Sequence, residues 1–322
     1  MMEGESPHYV SREDIEELLS ELEKLPGEAR FGFFGPNSVT WRVNRESAIF
    51  LGAGRAALLQ IAHPWVAASL IEHSNLRNDA IGRFHSTFRV IYTMLFGTRA
   101  QAVAASRQIY QLHAGIRGQL THQHGEHYEA NEINALRWVY ATLVESAILA
   151  YECVLPPLTT SERELYYTES KWMAALFGIP AHALPAGWAA FARYTADMVE
   201  SPVLVVDEAA CMLGACVLSG VGTWVRPPRW YLALTAHWMP ARFKADFQMP
   251  FGAEEAKAAE RAARKLRLLY RCIPGILRFV GPYHEAKARL HGHPPGPITR
   301  RNNCFWMGQS RMLYSQLGDL QS

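Results

Sequence analysis

GRFHSTFRVIYTMLFG (82–97), IYQLHAGIRGQL (109–120) and LRWVYATLVESAILAY (136–151) decide how this chain reads. Each is apolar with a polar pair at helical spacing: Arg83 with Thr87, His113 with Arg117, Thr142 with Ser146. A step of four puts both members of a pair on one helical face. Three such helices predict the walls of one buried polar site.

On the middle stretch, Ile109, Leu112, Ile116 and Leu120 form an apolar stripe, and His113 lies against it. The simplest reading is a core histidine bonded to a backbone carbonyl, since most buried polar groups are satisfied in that way. Arg117, one turn further along a helix expected over 99–120, argues for more. Arginine is rarely buried without an anionic partner, and no carboxylate stands near it on that helix. Arg117 is therefore expected to be buried and paired with a carboxylate from elsewhere, a haem propionate being one such group. His113 is the best candidate for a metal or haem ligand. On the first stretch, Arg83, Thr87, Val90 and Met94 share one face, and Phe84, Phe88, Ile91 and Leu95 the next. The plain alternative for Arg83 is a packed stem with its head in water. On the third, Trp138, Thr142, Glu145 and Leu149 align, and Thr142 can simply bond the carbonyl four residues back.

Around these stretches the chain reads as all-α, a single globular multi-helix domain over 1–322. Ser11 with Asp14 predicts a capped helix over 12–25, ended by Pro26-Gly27. GFFGPNS (32–38) is a loop, Pro64 starts a helix within the apolar region 39–74, and Asp79 caps one running to Gly97. Further helices are expected near 131–153, 160–177, 187–199, 203–219, 240–247, 253–271 and 278–291, with no strand.

The 322 residues are 49% hydrophobic and carry 32 basic against 30 acidic side chains. That balance argues against nucleic acid as a partner, whose binding needs clustered basic charge; RAARKLRLLYR (261–271) reads as a solvated helix face. Five scattered cysteines without a CxxC pair exclude a disulfide framework or zinc ribbon. The acidic start lacks the apolar stretch of a signal peptide. The apolar run 209–225 holds three glycines and reads as a buried helix followed by a turn, not a membrane span. The expectation is a cytoplasmic protein with no transmembrane segment and peripheral membrane contact left open. His122, His124 and His127 in HQHGEH form a second histidine group, but their spacing is not that of HExxH, and an exposed loop is the favoured reading. His63 and His73 read as the entry and end of a helix near the pocket.

GPNSVTWRVNRESAIFLGAGRAALLQIAHPWVAASLIEHS (35–74), GRFHSTFR (82–89), LHAGIRG (112–118) and WVYATLVES (138–146) occur in the order that resembles the MpaB-type oxygenases, which include the catalytic domain of rubber oxygenase. The resemblance covers roughly 34–220. It implies an all-α fold with a buried haem pocket and haem b held through one histidine, here His113 as iron ligand. It implies pocket roles for Arg83, Thr87, Arg117 and Thr142. The expected partners are haem, dioxygen and an apolar, unsaturated small molecule of isoprenoid or lipid type, with Arg83 and Thr87 as the catalytic pair that donates hydrogen bonds to bound oxygen or to a propionate. The chain departs from the rubber oxygenase at three places. Ser86 stands where that enzyme has a lysine, no acid lies between Val66 and Ser69, and Ser146 replaces an aspartate. A non-catalytic haem protein (electron carrier or sensor) and an α-helical binding protein stay open beside the oxygenase.

Overall fold

Ser11 opens the first helix, α1 (Arg12–Glu23), by a reciprocal cap: its hydroxyl accepts the Asp14 amide, and the Asp14 carboxylate accepts the Ser11 amide. Ile15, Leu19 and Leu22 then lie on the face that packs inward. A computed structural model describes residues 8–74, 79–120, 127–220 and 226–313 of the chain. Among them the helices continue as α2 (Val39–Asn44), α3 (Ala53–Ile61), α4 (Pro64–His73), α5 (Ala80–Phe96), α6 (Arg99–Ala114), α7 (Ile133–Val154), α8 (Thr160–Leu176) and α9 (Trp188–Glu200). They end with α10 (Glu208–Ser219), α11 (Arg229–Trp238), α12 (Ala241–Asp246), α13 (Ala253–Tyr270), α14 (Gly275–Arg278), α15 (Gly281–Leu290) and α16 (Pro297–Met307). The architecture is all-α. Pro64 and Asp79 start α4 and α5 as their chemistry dictates.

Three expectations need correction. The apolar region 39–74 does start a helix at Pro64, but its part before Pro64 is divided into α2, a 3-10 turn at Ser47–Gly52 and α3. The helix expected over 99–120 stops at Ala114, and Arg117–Gln119 (β1) pairs antiparallel with His127–Glu129 (β2). Gly115 and Gly118 weaken the helix there. Gly118 also faces Tyr128 across the ribbon, where a Cβ would fall 2.7 Å from the Tyr128 hydroxyl. Helices α11 and α16 lie where the sequence gave no helix signal, each short and opened by proline-containing segments.

α7 is the axis of the molecule, buried on nearly all sides. Trp138 of α7 donates its indole N–H to the Leu59 carbonyl of α3 at 2.8 Å, and Trp41 of α2 does the same to Leu95 of α5. Both indoles are almost wholly buried, and a satisfied N–H is what permits that. One apolar cluster runs from Val10 to Met312 in sequence, and a smaller one joins α7, α11 and α13 through Val154, Leu234 and Tyr270. The basic side chains of 261–271 are exposed, as expected of a solvated face. No helix among the described residues is long and apolar enough to cross a membrane. α10 ends at Gly220 in the left-handed region, φ 68°, and residues 221–225 of that apolar run lie outside the described residues.

The turn before α3 presses on α7 at one glycine. A Cβ on Gly52 would lie 2.5 Å from the Ser146 carbonyl oxygen. Gly52→Ala is expected to cost about 1–3 kcal/mol, the range for overpacking a tight contact. Urea denaturation reads it directly, and an unchanged midpoint would mean that the turn and α7 separate freely.

Candidate functional site

Helix α5 crosses from an open region into the core. No residue from Ala80 to Ile91 is buried, whereas every residue from Tyr92 to Gly97 is. α4 and α10, which pack on each other, are similar: both are strongly apolar, yet α4 buries only Ala67 and α10 only Ala210, Leu213 and Gly214. A helix apolar on all sides belongs inside a core or against a ligand. Apolar surface is left accessible here on several elements.

Arg83 and His113 stand in that region. His113 ends α6, keeps some accessible surface, and is nevertheless so enclosed by protein that its pKa falls to about 4. Desolvation is the main cause, the Arg83 charge adds to it, and Asn131 pulls the other way by hydrogen bonding. The imidazole is therefore neutral at pH 7, the form that ligates a metal. Burial also lowers the Arg83 pKa. Among the described residues its guanidinium has no carboxylate within 4.0 Å and no hydrogen bond, whereas the almost fully buried Arg55 has both and the desolvated Arg289 donates to the Arg30 and Phe96 carbonyls. A desolvated cation without an anion is a binding feature, because leaving it so is costly. The residues present therefore fit a haem: a neutral histidine for iron, an unpaired cation for a propionate, and apolar walls.

The other expected residues are placed as follows. Thr87 donates its hydroxyl to the Arg83 carbonyl at 2.9 Å, so it can accept a further hydrogen bond but not give one. Thr142, on α7, donates to the Val139 carbonyl and accepts from Gln60 Nε2 at 2.9 Å, which leaves little for a ligand. Arg117 corrects the expectation of burial: it lies on β1, exposed, off the helical face of His113, and opposite Glu129 in register. Ser86 is exposed and bonds the Arg83 carbonyl, and His85 is held by the Phe305 carbonyl of α16 at 3.0 Å. His127 is exposed on β2, and His122 and His124 lie outside the described residues.

Arg55, Gln60, Asn131 and Tyr128 gave no sequence signal, whereas His63 and His73 stand at the start and end of α4 as the sequence predicts. Arg55 of α3, almost fully buried, bonds Ser146 at 2.9 Å, Glu145 at 2.5 Å and the Trp238 carbonyl at 3.0 Å. Gln60 and Asn131 bear on Thr142 and His113. Tyr128, fully buried, ties the ribbon to α4 through a 2.7 Å bond to Glu72. His73, at the end of α4, bonds the Arg117 carbonyl at 3.2 Å. His63, at the start of α4, is buried, its Nδ1 has no partner, and desolvation lowers its pKa to about 4.

The described residues thus form an all-α chain with half-open apolar helices around a neutral histidine and an arginine without a carboxylate partner. Residues 41–273 match the family model described as ER-bound oxygenase mpaB/B'/Rubber oxygenase, catalytic domain, and the chain belongs to that family. No curated protein and no solved structure matches it.

The two low histidine pKa values set an acid limit. Both residues take up protons between 6.5 and about 4 on unfolding but not in the folded state. Stability is then undiminished above pH 6.5 and falls as pH drops through that window. His63→Leu is expected to flatten the loss of Tm between pH 6.5 and 5, above most carboxylate titration. An identical slope in the variant would show that His63 is protonated without cost.

Proposed function

We propose that the protein is a haem b-dependent oxygenase acting on an apolar, unsaturated substrate of isoprenoid or lipid type, with residues 1–322 as one unit. The observation that carries this reading is the pairing of a neutral His113 with a desolvated Arg83 that lacks an anion, in a chain of an oxygenase family. His113 would hold the iron, and Asn131, which bears on the ring, would keep it oriented. When bound, the haem supplies the activation of dioxygen that no side chain can perform. Arg83, charged at any working pH, binds and orients an anionic group such as a propionate. Thr87 offers a hydrogen-bond acceptor beside it. Thr142 braces α7 against α3 through Gln60. Arg117, exposed on the ribbon, is left with only a screened attraction to a ligand at the rim. The apolar walls exclude water and strengthen each polar contact within them.

Absorption spectra of protein expressed with added haem, before and after reduction, test the reading. Wild type is expected to carry one haem, His113→Ala to lose it or change its Soret band, and Arg83→Ala to retain the histidine ligation. Oxygen uptake with polyisoprene oligomers and other unsaturated lipids should fall about 100-fold in Arg83→Ala, the scale for a reacting group misplaced by loss of its anchor. A spectrum unchanged by His113→Ala would remove that residue from the role. Colourless wild-type protein would favour a helical binding protein, and haem that cycles in redox state without oxygen uptake an electron carrier or sensor.

A further inference from the structure

Beside the Arg83 face, the neighbouring face of α5 opens on a separate cavity of about 90 Å³ between α2, α5, α7, α8 and the turn before α3. Its walls are mostly apolar, with Phe50, Phe88, Ile91, Leu143 and Met173 among them. Among the described residues no charged side chain lines it. Two residues that line it, Tyr92 (0% exposed) and Thr40 (2% exposed), carry side-chain hydroxyls with no hydrogen-bond partner among the described residues. Buried hydroxyls are nearly always bonded, and an unbonded one is costly. The other polar wall groups do have bonds: Tyr140 with Ser170 at 2.6 Å, Asn44 with the Thr40 carbonyl at 2.9 Å, and Ser146 with Arg55. Thr40 is also kept from the usual route of a helical threonine, bonding the carbonyl a turn back, because it lies in the first turn of α2.

We propose that this cavity binds the uncharged oxygen-bearing end of an apolar chain, an alcohol or a ketone, with Tyr92 donating to its oxygen and Thr40 completing the contact. Burial holds the Tyr92 phenol well above its ordinary pKa, so it is a permanent donor. A carboxylate or an amine would enter without a counter-charge and is disfavoured. An alcohol or ketone needs only a hydrogen bond, and its chain finds the phenyl and aliphatic walls. In calling this ligand a substrate or product the inference rests on the oxygenase reading, but binding at the cavity does not require haem.

The test is a thermal-shift titration of the purified full chain with 1-octanol, 2-octanone, octane and octanoate, on wild type, Tyr92→Phe and Thr40→Val. Wild type should bind octanol and octanone about five- to tenfold more tightly than octane, the worth of about one net hydrogen bond, and octanoate least. Tyr92→Phe should bring octanol to the level of octane. Without ligand its Tm should be unchanged or higher, since the lost hydroxyl had no partner in the fold. Thr40→Val should reduce the preference by a smaller factor. Equal binding of octanol and octane by wild type would overturn the proposal, as would a Tyr92→Phe variant that keeps the preference; the second result would mean that the hydroxyl serves only a buried water. Oxygen uptake and the haem spectrum, measured on the same preparations, report on the oxygenase reading alone, so either can fail without the other.

Discussion

The Arg55 guanidinium is the constraint on which the architecture turns. It is a nearly buried cation reaching from α3 to Glu145 and Ser146 on α7 and to the carbonyl of Trp238 at the end of α11. Glu145 in turn accepts from Thr195 of α9. A charge withdrawn from water must be answered by donors and acceptors around it, so three helices, α3, α7 and α11, are tied by one side chain. Gly52 and Trp138 repeat the constraint sterically, since both set how closely the α3 region approaches α7. Had Arg55 no carboxylate, α7 would lack a reason to present Thr142 and Ser146 at this depth.

Arg83 is the opposite case. It too is withdrawn from water, yet among the described residues its guanidinium has neither carboxylate nor carbonyl. The two arginines thus separate the part of the interior that is complete from the part that is not. The same division runs through the hydroxyls: Tyr140 and Ser146 are bonded, Tyr92 and Thr40 are not. Among the described residues such unanswered buried atoms run from Thr40 on α2 to Asn303 on α16, with Tyr92 at the buried end of α5.

Much of this was legible in the sequence where the cause is local. Ser11 with Asp14, Pro64 before α4 and Asp79 before α5 act within one turn, and α7 announces itself by an unbroken apolar pattern. The end of α6 was misread because Ile116 and Leu120 continue its stripe, although Gly115 and Gly118 in the same segment were the counter-signal. That error carried Arg117 onto the wrong face. The ribbon was hidden because its strands are three residues each, too short to show alternation. Arg55, Gln60 and Tyr92 were illegible for another reason. Arg55 meets Glu145 ninety residues away, and no local pattern says that a core tyrosine lacks a partner.

The division of α5 into an accessible first part and a buried last part has a thermodynamic consequence. Backbone amides near Phe96 are locked to the global unfolding of the chain, while those near Arg83 are protected only as well as the neighbouring walls hold together. A ligand that covers the open part raises the free energy of every opening in which that part is released, by an amount that grows with the logarithm of its concentration. For a ligand seated there, the lifetime of the folded chain against proteolysis would rise with the supply of that ligand.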